Sequence, residues 1–534
     1  MLHIKNSIRL SVLLAVSAFS ACTNLDVPIE SVYTEENFPT TEEGFIAATG
    51  PVYTQLASRF AVDYWRMQEF STDEAIIPAR DGNYDDGGQY RVLHKHEWNP
   101  DHTNVKGVWE WGFGGINTTN RIMRLFEPAP ESAAKTTAIA EMRTMRALFH
   151  FFMMDLYANI PIVTEWGSSE PPEQKTRAEV FTFIETELKA AIPGLSAETG
   201  AFTYGRPTKW LAFAILTKMY LNAAYYIGTP MNTQAVAMAD SILAKGGYKL
   251  EASFAAIFMP DNGPQITETI FAVPYDANQI FGNQFSRFGL HPALVDKYDL
   301  PFRPSIAQST IASFYAKFNL PDDERNNTWL AGKQYEANGD PILIRTTNKA
   351  LDNSYNGPNP NAEIQWHLEF FPEMPLIREA TMDVGNDELG KARGVRSIKY
   401  FPDKNANPQE RHSNNDVPVF RLADIMLMKA EAILRGAAPT AVNGELQTAL
   451  LLVNKIRARA KAPELGNVTL DDMLDERARE LAWETWRRND LIRFGKFEDS
   501  WGFKTDNDVN KRIYPIPTSE RSLNPKLDQN PGYN

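Results

Sequence analysis

The spacing of apolar positions divides the chain into two helical stretches around an irregular middle. From about residue 41 to 227 the apolar residues recur mostly with helical periodicity. Residues 138–157 (AIAEMRTMRALFHFFMMDLY) are apolar on most sides and stop before Pro161, which predicts a long buried helix. Residues 207–227 (PTKWLAFAILTKMYLNAAYYI) repeat the theme, with Pro207 near the start, where its missing N–H costs nothing. Ala212, Ala214, Ala223 and Ala224 predict close approach of neighbouring helices.

The pattern returns near the C-terminal end. Residues 419–434 are apolar with Arg421, Asp424, Lys429 and Glu431 interspersed, and residues 445–461 carry a stripe of Leu446, Ala449, Leu450, Val453, Ile456 and Ala460. Thr469 with Asp472 forms a capping-box start, and the helix after it is predicted to align Leu474, Ala478, Leu481 and Thr485. Paired helices of this length predict a mainly α fold, a TPR-like superhelix, although no strict 34-residue self-repeat is visible. Between about 281 and 418 the chain is rich in Asn, Pro, Gly and Asp. That segment is predicted to be a loop-rich insertion with a few short strands, and loops this extensive usually carry function.

Composition narrows the classes. The 534 residues are 43% hydrophobic and 23% charged, which is globular. The net charge of −13 argues against nucleic acid or an anionic lipid surface as the main partner. A single cysteine excludes an intrachain disulfide, an iron–sulfur cluster and a cysteine-rich zinc site. Its position is informative. Lys5 and Arg9 precede a twelve-residue apolar and small stretch, Leu10 to Ala21, which is short of the roughly 20 residues that span a bilayer. Small residues directly precede Cys22. We therefore expect residues 1–21 to be a lipoprotein signal peptide and Cys22 to become an acylated anchor, with Phe19 a mild departure from the usual Leu.

Six stretches, in order, resemble the SusD/RagB family of outer-membrane lipoproteins. Residues 141–164 are similar to its "ARFLRAYYYFDLVRLFGDVPLVT" helix, and 205–216 to "GRATKGAALALLARVYL". Residues 416–432 are similar to "D-P-x-x-R-x-A-E-x-L-L-x-x-A-E-A", and 453–459 to "NxVRxRA". Residues 476–495 resemble "ERRxELAFEGxRxxDLxRxG", and 515–533 resemble "PIPxxExxxNPxxxQNPGY". The resemblance implies an N-terminal helical domain over 22–230 and a second domain over 231–534 that contains the insertion. It also implies a non-enzymatic protein lipid-anchored in the outer membrane and facing the exterior. Such a protein binds a glycan, or in the RagB branch a peptide, and hands it to a SusC-like TonB-dependent transporter. A secreted glycoside hydrolase and a scaffold that binds only protein are the competing readings.

Ten of the residues between 60 and 113 are aromatic, interleaved with Asp73, Glu74, Asp81, Asn83, Asp85 and Asp86. Sugar recognition uses such a mixture, because a ring face packs on an aromatic plane while carboxylates and amides take hydroxyls. Tyr84 is the expected stacking residue, with Asp85 and Asp86 beside it and Asp73 as a further contact. Trp65 and Trp98 are second platforms, whereas Trp109 and Trp111 are expected in the core. A strand around Arg393–Tyr400 would put Arg396 and Tyr400 on one face as a second candidate set, with Trp329 and Trp366 as further loop aromatics. Glu476, Glu480 and Glu484 are expected to form ion pairs with Arg487 and Arg488 that set helix register. Asp81, Asn83 and Asp85 match half of an EF-hand loop, but Asp86 and Val92 stand at its two most demanding positions. No cofactor is expected, a structural calcium being the weaker alternative. His94 and His96, spaced as strand ligands would be, are expected to be a surface pair.

Overall fold

The computed structural model describes residues 39–351 and 362–533; Cys22 and the segment preceding it lie outside the described residues. The apolar periodicity becomes a continuous stack of helices: α1 (Glu42–Arg59), α2 (Thr103–Phe126), α3 (Ala133–Tyr157), α4 (Arg177–Ala191), α5 (Lys209–Leu221) and α6 (Asn232–Lys245). Each packs on the next, and α6 packs on α7 (Leu422–Leu434), which packs on α8 (Ala449–Arg459) and α9 (Leu470–Leu481). The stack is thus continuous in space across an insertion of more than 170 residues in sequence. The expected mainly α architecture is what forms. Local chemistry sets the helix starts: Thr176 with Glu179 and Thr469 with Asp472 each make reciprocal capping boxes. Ser132 and Thr448 cap α3 and α8. The α2–α3 contact is close because Gly112 and Gly115 face Met153 and Phe149, where a Cβ on either glycine would clash.

The insertion begins and ends in one antiparallel pair, Thr269–Val273 against Val417–Arg421, with a bulge between Pro418 and Phe420. Its interior holds short two-residue and four-residue strand pairs, such as Leu343–Thr346 with Ile364–His367 and Trp329–Leu330 with Arg396–Ser397. One hydrophobic cluster joins α1–α6 to residues of the insertion and the C-terminal segment, ending at Tyr533. Tyr533 buries its ring while its hydroxyl donates to the Ile513 carbonyl (2.8 Å) and accepts from Trp98 Nε1 (2.7 Å).

The expected ion pairs exist, but with other partners. Glu476 holds Arg325, Arg457 and Arg479; Glu480 holds Arg325, Arg421 and Arg459; Glu484 holds Arg421 and Lys399. These groups are almost wholly buried and tie α9 to α7, α8 and the insertion. Arg487 (in α10, Arg487–Arg493) instead takes Asp73, and Arg488 lies 3.9 Å from Asp155. Two sequence stripes are cut short, one at its start and one at its end. Leu446 is exposed in a Thr440–Val442/Glu445–Gln447 hairpin, not on α8, and α9 stops at Leu481, before Thr485.

Thr485 has φ of 70°, which crowds a β-branched side chain, and its buried hydroxyl has no hydrogen-bond partner. Glycine stands here in the "FEGxR" pattern quoted above. Left-handed strain of about 1–3 kcal/mol outweighs the extra freedom glycine gives the unfolded chain, about 0.5–1 kcal/mol. Thr485→Gly is therefore expected to raise stability by about 1 kcal/mol. Urea unfolding measures it, and a fall in the midpoint would refute the strain argument.

Candidate functional site

The acidic loop after Arg80 is an almost continuous left-handed run. Asp81, Gly82, Tyr84, Asp86, Gly87 and Gly88 all have φ between 44° and 87°. Glycines accept this freely, whereas Asp81, Tyr84 and Asp86 are held there by surrounding bonds. Arg80 is buried and supplies the anchor. Its guanidinium donates to the carbonyls of Ile306 (3.0 Å), Gly390 and Arg393 (3.2 Å), and burial lowers its pKa to about 10. The Arg80 and Asn83 backbones exchange two hydrogen bonds, of 2.8 and 3.1 Å. Asp383 accepts from the Asp81 N–H (2.9 Å), while Arg378 bridges Asp81 and Asp383.

This anchoring sets Tyr84 on the far side of the turn. Its ring is half-buried, and its hydroxyl donates to the Ser305 carbonyl. Burial raises the phenol pKa, so the ring is neutral and its hydroxyl fixed. Asp85 is half-buried, 3.8 Å from Arg91, and Asp86 is exposed. The neighbouring wall comes from the short helix Phe285–Gly289, whose Arg287 carbonyl accepts from the Ser305 N–H (2.7 Å). The Phe288 ring lies there with Arg287 4.8 Å and Arg66 5.2 Å from its centre. The loop thus presents an aromatic face flanked by carboxylates on its own strand of chain and guanidiniums across from it. Arg80, Ser305, Arg287 and Phe288 were not singled out from sequence, and nothing in their local pattern marks them.

The other expected contacts are placed elsewhere. Trp65 is fully buried against Phe70, Phe285 and Trp483, its Nε1 donating to the Trp483 carbonyl (3.1 Å). Trp98 is buried against His96 and Tyr514. Neither is a stacking platform; both join Trp109 and Trp111 in the core. Asp73 has both carboxylate oxygens on Arg487, at 2.7 and 2.6 Å, and is a tie between distant segments, not a ligand contact. The strand at Arg396 is only two residues long, and both of its faces are covered. Arg396 donates to the carbonyls of Gln308 (3.0 Å), Lys391 (2.8 Å) and Arg393 (2.9 Å), and Tyr400 stacks on Phe285 at 4.6 Å. Arg396 and Tyr400 are therefore removed from the candidate site, and Trp329 and Trp366 are buried as well. His94 and His96 are also buried, not a surface pair: His94 lies in a short helix (Gln89–Lys95) and His96 caps its end. Desolvation lowers both pKa values. Among the described residues no group of three or more His, Cys, Asp or Glu could hold a metal ion.

An open cleft of about 600 Å³ lies away from this loop and shares no residue with it. Trp109, Phe113 and Asn117, spaced along one face of α2, form its floor, and Trp166, Glu165, Glu170 and Glu520 line its rim. Size alone does not make it the principal site: its polar groups come from separate exposed segments, whereas the Tyr84 loop is braced by buried anchors.

Residues 283–533 match the SusD family, and residues 53–221 match a family described as starch-binding and associating with the outer membrane. The chain is 26% identical over 438 residues to the starch-binding protein SusD of Bacteroides thetaiotaomicron, covering 74% of this chain and 72% of that one. It is 24% identical to a SusD-like protein of Bacteroides ovatus, covering 91% and 84%. A laminarin-binding SusD-like protein superposes with a TM-score of 0.71 at 21% identity, over 93% of this chain and all of the other. The surface glycan-binding protein A of Bacteroides fluxus gives 0.71 at 18% identity over the same shares. From its motifs, its stacked helices broken by one strand-closed insertion, and these matches along most of its length, the chain belongs to the SusD/RagB family.

Proposed function

We propose that this protein is a non-catalytic outer-membrane lipoprotein, anchored through Cys22, that binds a glycan at the Tyr84 loop and delivers it to a SusC-like TonB-dependent transporter. The observation that carries the binding site is the braced, half-buried Tyr84 ring. Its left-handed backbone and its bond to Ser305 are set before any ligand arrives, so little ordering entropy is lost on binding. Relatives named for starch and laminarin binding support the ligand class. The lipobox-like stretch before Cys22 supports the anchor, and no helix among the described residues is long and apolar enough to cross a membrane. Against the hydrolase reading, Glu476, Glu480 and Glu484 are buried and saturated by guanidiniums and Lys399, out of reach of substrate.

Isothermal titration of the chain lacking residues 1–22 against a polysaccharide panel tests this. One glycan class is expected to bind. Tyr84→Ala is expected to weaken it at least tenfold, equivalent to about 1.4 kcal/mol, while Trp166→Ala leaves it unchanged. Loss on Trp166→Ala with retention on Tyr84→Ala would move the site to the α2 cleft. Silence across the panel with a peptide signal would favour the RagB-like branch.

A further inference from the structure

We infer that the glycan taken at Tyr84 is anionic, its carboxylate or sulfate groups being held by Arg287 and Arg411 beside Phe288. This rests on the function proposed above and narrows it to a substrate class.

The two arginines come from segments far apart in sequence and are tied together structurally. Arg287 lies in the helix whose backbone accepts from Ser305, the same residue whose carbonyl takes the Tyr84 hydroxyl. Arg411 has φ of 61° and precedes His412. The His412 ring accepts the Gly282 N–H at 3.1 Å, sits 3.2 Å from Gln284 Nε2 and stacks on Phe281 at 4.8 Å. That docks the 411–412 turn onto the chain leading into Arg287.

The pair carries no compensating carboxylate among the described residues and, unlike Arg80 and Arg396, is not enclosed in the core. The chain carries a net charge of −13, and Arg325, Arg421, Arg477 and Arg493 each hold two or more carboxylates, while the buried Arg80 and Arg396 spend their guanidiniums on backbone carbonyls. Arg287 and Arg411 form no ion pair among the described residues, and Arg287 Nε is buried with no hydrogen-bond partner. Arg66, across the Phe288 ring, already has Asp63 at 3.4 Å. The acidic groups facing the pair are Glu410 and Asp86, both exposed, and Asp85, which lies beside Arg91. Burial and the neighbouring charges of Arg411 and Arg66 push the Arg287 pKa below the ordinary guanidinium value, a repulsion that an anion would relieve. A guanidinium fork matches a carboxylate or sulfate in two parallel hydrogen bonds, and the half-buried Tyr84 ring is the aromatic surface for the sugars that carry them.

The test is titration of the chain lacking residues 1–22 with neutral polymers (laminarin, galactan), uronate polymers (polygalacturonate, alginate) and a sulfated polymer (carrageenan), at low and high salt. An acidic polymer is expected to bind at least tenfold more tightly than any neutral one. Its affinity is expected to fall with salt, and Arg287→Gln and Arg411→Gln should each weaken it about tenfold without shifting the thermal midpoint. Preference for uronate over sulfate, or the reverse, identifies the anionic group and supports the inference either way. A neutral polymer that binds through Tyr84 at least as tightly as the acidic ones, unaffected by both arginine variants, overturns the inference and leaves the proposed function standing. Failure of every polymer overturns both.

Discussion

Arg421→Met is expected to lose about 3–5 kcal/mol of folding stability, the range seen when one partner of a buried ion pair is removed. Arg421 lies at the join of strand and α7 and is almost fully buried. It donates to Glu484 at 2.7 and 2.8 Å, to Glu268 at 2.7 Å, and to the side chain and carbonyl of Glu480 at 2.6 Å each. Methionine fills much of the volume but leaves three buried carboxylates to share Arg459, Arg325 and Lys399. The guanidiniums of Arg459, Arg421 and Arg325 hold the Glu480 pKa well below the ordinary carboxylate range despite burial, and the variant removes one of the three. Arg421→Lys keeps one charge but loses the fork, and should fall between the two. Urea unfolding measures the series. A loss below about 1 kcal/mol for the methionine variant would mean that the network re-pairs freely and that the insertion is held to α9 by packing alone.

Stability is also expected to fall by about 1–2 kcal/mol between pH 7 and 8. Glu69 and Glu74 are both buried where the short helix Trp65–Glu69 and the turn after it meet the strained 482–486 turn. Glu69 Oε1 accepts the Thr485 N–H (2.5 Å), and Glu74 accepts the Trp483 N–H. Burial raises the Glu74 pKa to about 8 against these N–H donors and Arg487. Burial and the nearby Glu74 raise that of Glu69 well above its usual value. Both carboxyls are ionised in the unfolded chain above pH 4.5, so the folded state binds more protons through this window. Stability then declines with rising pH, by about 1.4 kcal/mol per unit for each retained proton. The buried histidines oppose this only weakly above pH 7: burial lowers His94 to about 3, His150 to about 4 and His291 to about 3, and the unfolded histidines have lost most of their protons by pH 7. They act mainly below pH 7, where charging the unfolded histidines lowers stability as pH falls. Thermal midpoints across pH 7–8 read the slope, and Glu74→Gln should flatten it. An unchanged slope in that variant would place the extra proton elsewhere, with Glu141, raised to about 7, the next group to test.

The aromatic segment shows where sequence reading fails and why. Trp65, Trp98 and Tyr84 lie in one compositional cluster, interleaved with acids, and nothing in that pattern separates a ring in the core from a ring at the surface. Tertiary contacts do: Trp65 meets Trp483 from 418 residues away, and Trp98 meets Tyr533 from 435 residues away. Asp73 is similar, since the arginine that occupies it is 414 residues distant. The strand at 396–397 failed for a different reason. Alternation assumes that one sheet face is open to solvent, and here the two-residue strand is enclosed by 308–309, 391–393 and the core.

Local, short-range chemistry was therefore decided by the sequence itself. The capping boxes at Thr176 and Thr469, the apolar periodicity of α3 and α5 and the small residues between helices depend on neighbours within a few positions, which is why the helical stack and the family were legible. Which side chains meet across the insertion was decided only by the tertiary structure. The Thr269–Val273/Val417–Arg421 pair brings distant loops together, burial removes water from whatever it encloses, and the carboxylates and guanidiniums so enclosed must find one another. Arg287 and Arg411, which form no ion pair among the described residues beside Tyr84, became visible only once the tertiary structure had placed them there.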